Sequence, residues 1–173
     1  MDVLKSFVFI LLTIVSISPL WPIGPALPGD PFIIVNKQTN EVAFIKDSEV
    51  KKIYKAATGK TDDLTPEGMF TVTVKAINPY YRKLNISGGS PKNPLGTRWI
   101  GFDALNTNGR TYGIHGTNNP HSIGYYASLG CIRLRNEDVE ELYELVPIGT
   151  KIFITKTWKN FEQIGTEKGV IYP

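Results

Sequence analysis

Residues 114–134 read IHGTNNPHSIGYYASLGCIRL and hold the chain's single cysteine, Cys131, together with both of its histidines, His115 and His121. The stretch is rich in Gly, Asn, Ser and Pro, which is typical of a shaped loop and not of a packed element. A thiol and an imidazole in such a loop predict a cysteine nucleophile with a histidine base. We expect the rest of the chain to be the scaffold that holds this loop.

Short β-type segments separated by turn residues surround the loop, and their spacing favours consecutive antiparallel hairpins. Residues 68–77 (GMFTVTVKAI) alternate apolar and polar side chains, which predicts a strand with one buried and one solvated face. Residues 79–95 are a long polar stretch containing Gly88 and Gly89, and we expect a flap there. The predicted strands are residues 32–35, 42–45, 51–58, 68–77, 98–102, 111–114 and 151–157.

One helix is predicted directly after the cysteine loop. Asn136 is a good N-cap, and the acidic Glu137 and Asp138 suit the positive start of a helix. Pro147 ends the helix, and Gly149 turns the chain into the last strand. The apolar face of the helix consists of Val139, Leu142, Tyr143 and Val146. The whole pattern predicts a mainly β domain with one helix packed after the cysteine.

Composition and charge restrict the classes of partner. The 173-residue chain is 42% hydrophobic, enough for a real core, and carries 19 basic against 16 acidic side chains. The net charge of +3 is spread without a basic block, which argues against nucleic acid as a partner. Two histidines and one thiol without CxxC or HExxH spacing rarely make a zinc site, so neither a metal nor another cofactor is expected.

The first 24 residues differ from the rest of the chain. Lys5 precedes an apolar run over residues 6–21, which is typical of an export signal or a single membrane anchor, and cleavage and retention both stay open. A lone cysteine in an exported protein cannot form an internal disulfide. Cys131 is then an inert buried thiol, half of an intermolecular disulfide, or a nucleophile.

The loop also contains candidates for the base that activates Cys131 and for the group that binds the oxyanion. An imidazole that accepts the Cys131 proton would leave a thiolate–imidazolium pair. His115 ends a predicted strand that can aim its side chain, and Gly116 lets the chain turn away from it. His121 is the competing base. Gly130 lets the backbone approach a substrate closely, and consecutive amides there could hold an oxyanion.

Two further side chains have both a functional and an ordinary interpretation. Ser128 could be a nucleophile itself, but a hydroxyl beside a thiol more often donates a hydrogen bond. Arg133 could clamp a substrate carboxylate or be a solvated arginine. The residue pattern alone decides neither.

Two motifs resemble those of a known enzyme family. HGT at residues 115–117, followed by SLGCIRL at residues 128–134, resembles the active-site motif of the L,D-transpeptidase (YkuD) family. Upstream, TGK at residues 58–60 and TPEGMF at residues 65–70 are similar to that family's TGK…TPxGxF motif. Because two separate motifs occur in the right order within residues 31–156, the resemblance is specific.

The resemblance implies a β-sandwich-like catalytic domain that acts on peptidoglycan peptide stems, one as acyl donor and one as acceptor. By this similarity Cys131 attacks the bond after the third residue of a tetrapeptide stem and releases D-alanine. An acceptor amine then resolves the thioester into a 3→3 cross-link, with His115 moving the proton. The implied oxyanion and substrate-binding residues are Gly130, with the Cys131 amide beside it, and Ser128, Arg133 and Gly116.

The resemblance also divides the chain and places it in the cell. We expect an exported enzyme at the cell wall that touches the membrane only through residues 1–24. The expected parts are a signal peptide or membrane anchor with its linker over residues 1–26, the L,D-transpeptidase catalytic domain over residues 27–157, and a C-terminal tail over residues 158–173.

One departure from the family pattern is visible. Many members have histidine two residues before the cysteine, where this chain has Leu129, so a mechanism that needs a second imidazole is in doubt. Two other functions stay open. An L,D-carboxypeptidase or cysteine peptidase would let water resolve the same thioester, and a non-catalytic wall-binding module would keep an inert thiol.

Overall fold

The computed structural model describes residues 23–172 and confirms the mainly β architecture. In that range the strands are β1 (Phe32–Asn36), β2 (Glu41–Lys46), β3 (Glu49–Lys55), β4 (Thr58–Gly59), β5 (Gly68–Ile77), β6 (Arg98–Phe102), β7 (Tyr112–His115), β8 (Tyr126–Ser128), β9 (Ile132–Arg133) and β10 (Lys151–Thr155). The α-helices there are α1 (Asn136–Leu145) and α2 (Phe161–Glu167). Eight strands form one curled sheet in the order β3-β2-β1-β10-β5-β6-β7-β9, and β4 pairs with β8 beside it.

Strand β5 joins the two halves of this sheet. Its first residues pair with β10 and its later residues with β6. The pairing is irregular between Val72 and Val74, where the strand passes from one partner to the other, as expected for a bulge that bends a sheet. Because the sheet curls there, the inner faces of both halves share one core, in the manner of a sandwich. Val74 and Ala76, predicted to be buried, are only half-buried and line a cavity described below.

The predicted hairpins and helix are confirmed. β1, β2 and β3 pair antiparallel in succession, whereas β1 pairs with β10, and β7 with β9, in parallel. Helix α1 closes the main core, and Lys75 Nζ donates to the carbonyls of Tyr143 (2.5 Å) and Val146 (2.7 Å) at its end. The fully buried residues of this core include Ile33, Val35, Ile100, Phe102, Ile114, Ile132, Val139, Leu142, Ile152 and Ile154.

The assignment of Asn136 as the N-cap is wrong. Arg135 is the capping residue and Asn136 is the first residue of α1. The Asn136 side-chain oxygen accepts instead from the amides of Thr97 (3.3 Å) and Thr117 (3.1 Å). The Asn136 side chain therefore binds amides of other segments and not the free amides at the start of its own helix. Asn136 thereby connects α1 to the loop that follows His115.

Helix α2 lies in the segment left unassigned by the sequence. Asn160 and Gln163 form a reciprocal capping box at its start. Phe161 and Ile164 pack on the outer face of β1 and β2, against Phe32 and Ile34. Because these strands are covered on both faces, they consist of continuous apolar runs and not of alternating ones.

The predicted strand over residues 51–58 is divided in two. β3 ends at Lys55, Ala57 then pairs with Arg133, and Thr58 and Gly59 pair with β8. The chain therefore leaves the sheet edge and crosses to the cysteine loop. The predicted last strand ends earlier than expected, at Thr155.

The predicted leader, residues 1–22, lies outside the described residues. Residues 23–31 contain turns without helix or strand, as their proline and glycine content predicts. Between residues 23 and 172 no helix has the length and apolar character needed to cross a membrane.

Candidate active site

The fold brings Cys131 and its predicted base, His115, to adjoining strands. His115 ends β7, Cys131 directly precedes β9, and these strands pair in parallel with His115 opposite Arg133. Burial has the largest influence on both groups: it lowers the pKa of the imidazole and raises that of the thiol. The charge of Arg133 is a smaller influence that acts downwards on both pKa values. The three side chains therefore share one electrostatic environment. His121, the competing base, lies exposed on the short turn Pro120–Ser122.

His115 is buried and fixed by its surroundings. Its ring stacks on Trp99 with centroids 5.5 Å apart and planes 16° apart, and Nδ1 lies 2.6 Å from the Gly116 carbonyl oxygen. Because a carbonyl only accepts, Nδ1 carries the hydrogen and the lone pair of the neutral ring is on Nε2. Burial is the main cause that lowers the pKa of His115 to about 4, while the Gly116 and Leu95 carbonyls act in the opposite direction.

Cys131 is half-buried, and its Sγ lies 3.5 Å from the Thr111 carbonyl oxygen, to which the thiol donates. Burial raises the pKa of the Cys131 thiol, and the Gly113 amide and Arg133 oppose that shift. The raised pKa of the thiol and the lowered pKa of His115 both favour uncharged forms. These two directions favour a neutral thiol and imidazole as the resting pair, and the expected thiolate–imidazolium pair stays a prediction.

Gly130 is held at both of its polar atoms. Its N–H donates to Ser128 Oγ (3.0 Å), and its carbonyl accepts from Thr65 Oγ1 (3.0 Å). It has a φ of +129°, and a Cβ there would lie 2.6 Å from the Leu64 carbonyl oxygen, so only glycine fits. The Gly130 N–H is bonded to Ser128 in this conformation, and its assignment as an oxyanion donor stays a prediction. The Cys131 amide donates no hydrogen bond within residues 23–172 and stays available.

The other predicted binding residues are not among those that line the cavity. Ser128 is buried, accepts from Gly130 and is absent from the cavity lining, which argues against it as a nucleophile. Gly116 is buried, and a Cβ there would lie 2.1 Å from the Asn136 side-chain oxygen. Arg133 is half-buried and exchanges backbone hydrogen bonds with Ala57 (2.9 Å each). Their roles in substrate binding stay predictions.

A cavity of about 530 Å³ opens at Cys131. Val74, Ala76 and Trp99 line it from the sheet, and the predicted flap, residues 79–95, contributes both of its ends. Asn93 is a residue that the sequence did not reveal. Its buried side chain donates to the Pro79 (2.8 Å) and Ser87 (3.2 Å) carbonyls and so closes the base of the flap. The polar loop is confirmed, and its movement stays a prediction.

Between residues 23 and 172 no group of three His, Cys, Asp or Glu side chains is arranged to hold a metal ion.

A half-buried thiol on a cavity wall, with a buried, uncharged imidazole on the adjoining strand of a curled β sheet, defines a candidate cysteine enzyme site. The chain belongs to the YkuD family of L,D-transpeptidase catalytic domains, which matches residues 30–154. It is 59% identical over 160 residues to the "Putative L,D-transpeptidase YqjB" of Bacillus subtilis, covering 92% of this chain and 91% of that protein.

Solved structures agree on the fold. The catalytic domain of an Enterococcus faecium L,D-transpeptidase has a TM-score of 0.56 at 26% identity, covering 73% of this chain and 97% of that one. L,D-transpeptidase 3 from Mycobacterium tuberculosis with a faropenem-derived adduct has a TM-score of 0.55 at 18% identity, covering 73% and 61%. The chain thus spans less than two thirds of the length of that second structure.

Proposed function

We propose that this L,D-transpeptidase forms peptidoglycan cross-links through a Cys131 thioester. The observation that carries the proposal is the Cys131 thiol on the wall of a cavity of about 530 Å³, beside a strand whose His115 ring is held by the Gly116 carbonyl at 2.6 Å. An inert thiol in a wall-binding module would need neither the cavity nor the oriented imidazole.

The acylation step begins from the neutral pair. His115 Nε2 accepts the thiol proton as Sγ attacks the carbonyl carbon after the third residue of a tetrapeptide stem. The Cys131 N–H donates to the oxyanion that forms. His115 then protonates the leaving amine, the carbon–nitrogen bond breaks, and D-alanine departs. The Gly116 and Leu95 carbonyls favour the charged ring, which stabilises the imidazolium while it exists.

The second step returns the enzyme to its starting state. The amine of an acceptor stem attacks the thioester carbonyl, His115 takes the proton of that amine, and the carbon–sulfur bond breaks. The sulfur recovers its proton from His115, and the product is a 3→3 cross-link. Water in place of the amine would give the carboxypeptidase reaction with the same residues.

The charge of the cavity supports a stem peptide as the ligand. Arg82, Lys83 and Arg110 line it, and no acidic side chain among the described residues does. Within residues 23–172 none of these three cations forms an ion pair with another residue. Stem peptides carry several carboxylates, which arginine binds well.

Intact-mass measurement tests the proposal. The full-length protein is mixed with a tetrapeptide stem, and with faropenem as a second acylating probe. Wild type should gain the mass of the stem less D-alanine, and the Cys131→Ala variant should gain nothing. A wild type without an adduct from the stem, or an adduct on Cys131→Ala, would overturn it. Products formed with and without an acceptor amine separate transpeptidation from hydrolysis.

We further propose that residues 1–26 direct export to the cell wall, supported by Lys5 and the apolar run over residues 6–21. A reporter phosphatase that is active only outside the cytoplasm, fused to the chain, should be active with residues 1–26 present and inactive without them. Equal activity of both fusions would contradict export by this segment.

A further inference from the structure

Thr65 connects the upstream TPEG motif to the cysteine loop. Its side chain is 1% exposed, its Oγ1 accepts from the Gly59 N–H (2.9 Å), and the same hydroxyl donates to the Gly130 carbonyl (3.0 Å). The bond to Gly130 spans 65 residues of sequence. A buried hydroxyl that both accepts and donates has a fixed orientation, so it sets the position of the carbonyl that it binds.

We propose that Thr65 is a positioning residue that holds the Gly130–Cys131 peptide so that the Cys131 N–H serves as the oxyanion donor. In a trans peptide the C=O and the next N–H point in opposite directions. Because Thr65 holds the Gly130 oxygen on the protein side, the Cys131 N–H points away from Thr65. This role rests on the proposed thioester reaction.

The backbone at Gly130 needs such a restraint. Glycine reaches φ of +129° without strain, but it also reaches many other conformations, so the peptide is easily rotated. Ser128 Oγ holds the N–H side at 3.0 Å, and the Leu64 carbonyl packs against the α-carbon. The Thr65 hydroxyl donates to the Gly130 carbonyl at 3.0 Å and so holds the carbonyl side. Removal of the Thr65 hydroxyl should therefore let the Gly130–Cys131 peptide rotate while Gly130 itself stays in place.

Residues 59–67, which we name the clamp, are themselves held by hydrogen bonds to other segments. The Lys37 ammonium is buried and donates to the carbonyls of Asp62 (2.6 Å) and Thr65 (3.0 Å), and it lies 3.0 Å from the Glu67 carboxylate. The Lys60 N–H donates to the Ser128 carbonyl (2.9 Å). Both ends of the clamp are thus fixed, and Thr65 has little freedom to follow a displaced Gly130.

The experiment compares two reactions of the same thiol in the full-length protein. Acylation by the stem or by faropenem passes through an oxyanion, whereas alkylation by iodoacetamide displaces iodide at a saturated carbon and forms none. Thr65→Val keeps the shape and removes the hydroxyl, and Thr65→Ser keeps the hydroxyl. Thr150→Val is the matched control, because Thr150 is also fully buried and donates to a carbonyl, that of Pro147 (2.7 Å), outside the cavity lining.

For Thr65→Val we expect the maximal acylation rate constant to fall about 10²-fold, in the range known for a lost oxyanion donor, with KM little changed. Alkylation should stay within about threefold of wild type, because the thiol and His115 are untouched. Thr65→Ser should recover acylation to within about fivefold, and Thr150→Val should change neither rate.

Other outcomes overturn the proposal. Unchanged acylation in Thr65→Val, an equal fall in both reactions, or no recovery in Thr65→Ser would each show that Thr65 does not act on the oxyanion donor. If the stem fails to acylate wild type while faropenem succeeds, the proposed function fails and the Thr65 comparison is still decided by faropenem. A wild type that neither probe acylates overturns both.

Discussion

The groups that hold the reacting residues and the flap that lines the cavity are built in different ways. On the buried side, Thr65 of the clamp is 1% exposed and bonded across the molecule to Gly130, at 3.0 Å, and His115 is 4% exposed. On the other side the flap, residues 79–95, is exposed, with Tyr80 at 50% and Leu84 at 64%. Its hydrogen bonds are mainly local, such as those between Tyr81 and Ile86. We therefore expect the buried side to position the reacting atoms and the exposed flap to contact the substrate.

The largest expected effect lies on the buried side, at His115. His115→Gln keeps a hydrogen-bonding side chain but removes the base, so we expect the acylation rate to fall about 10³-fold. Intact-mass kinetics with the stem measures this fall, and a urea denaturation curve at pH 7 checks that the variant is folded. Acylation within tenfold of wild type would show that another group accepts the proton.

The same substitution has a consequence for stability at low pH. Burial lowers the pKa of His115 to about 4 from 6.5, so between these values the unfolded chain binds more protons than the folded one. Stability is therefore complete above about pH 6.5, falls as the pH drops towards 4, and loses about 3 kcal/mol through this group. His115→Gln should lose correspondingly less between pH 7 and pH 4, and parallel curves for both proteins would contradict the buried neutral ring.

The next effect tests the anchor of the clamp. Lys37→Met keeps the length of the side chain but leaves the Asp62 and Thr65 carbonyls without their donor. We expect a loss of about 2–3 kcal/mol in the free energy of unfolding, the usual range for hydrogen bonds from a charged donor. The ion pair with Glu67 adds little, because that carboxylate is half-exposed.

Lys156→Met is the matched control for Lys37, because its ammonium also contacts Asp62, at 2.7 Å, but at the surface. Its loss should stay below about 1 kcal/mol in the same urea titration. Equal losses of stability for the two lysines would show that the buried position of Lys37 does not strengthen its contacts.

The smallest effect is expected on the exposed side. Arg110→Gln removes one of the three cations of the cavity, and we expect KM for the stem to rise about tenfold, or 1.4 kcal/mol, with the maximal rate and the stability unchanged. Lys46→Gln, in β2 and outside the cavity, should change none of these. A fall in the maximal rate for Arg110→Gln would place this arginine on the positioning side.

Much of the scaffold was readable from the sequence because its signals are local. The turn residues after β1 and β2, and the apolar face of α1, each decide a structure within a few residues. The capping pair Asn160 and Gln163 was equally readable and would have revealed α2. The division between β3 and β4 was not readable, since Ala56 and Ala57 break no pattern and are redirected by partners far along the chain.

The candidate site likewise contains residues that the sequence predicted and contacts that it did not. The motifs predicted Cys131 and His115, but the groups that hold them are mainly backbone atoms, such as the Gly116 carbonyl at 2.6 Å, and a carbonyl has no sequence signature. Thr65 stood inside a recognised motif, yet its partner is 65 residues away. Asn136 was misassigned because its side chain satisfies two distant amides in place of the helix start.

The position of β10 has a consequence for how the protein folds. It lies between β1 and β5, so within residues 23–172 the last strand pairs with the first and links the β1–β3 hairpins to β5. Pairings of such high sequence separation form slowly, because a long loop must close before they stabilise anything. The early hairpins can form during synthesis, but β1 keeps one unpaired edge until residues 151–155 arrive. The docking of the β1–β3 hairpins onto the part of the sheet that carries His115 is therefore a late event in the folding of this chain.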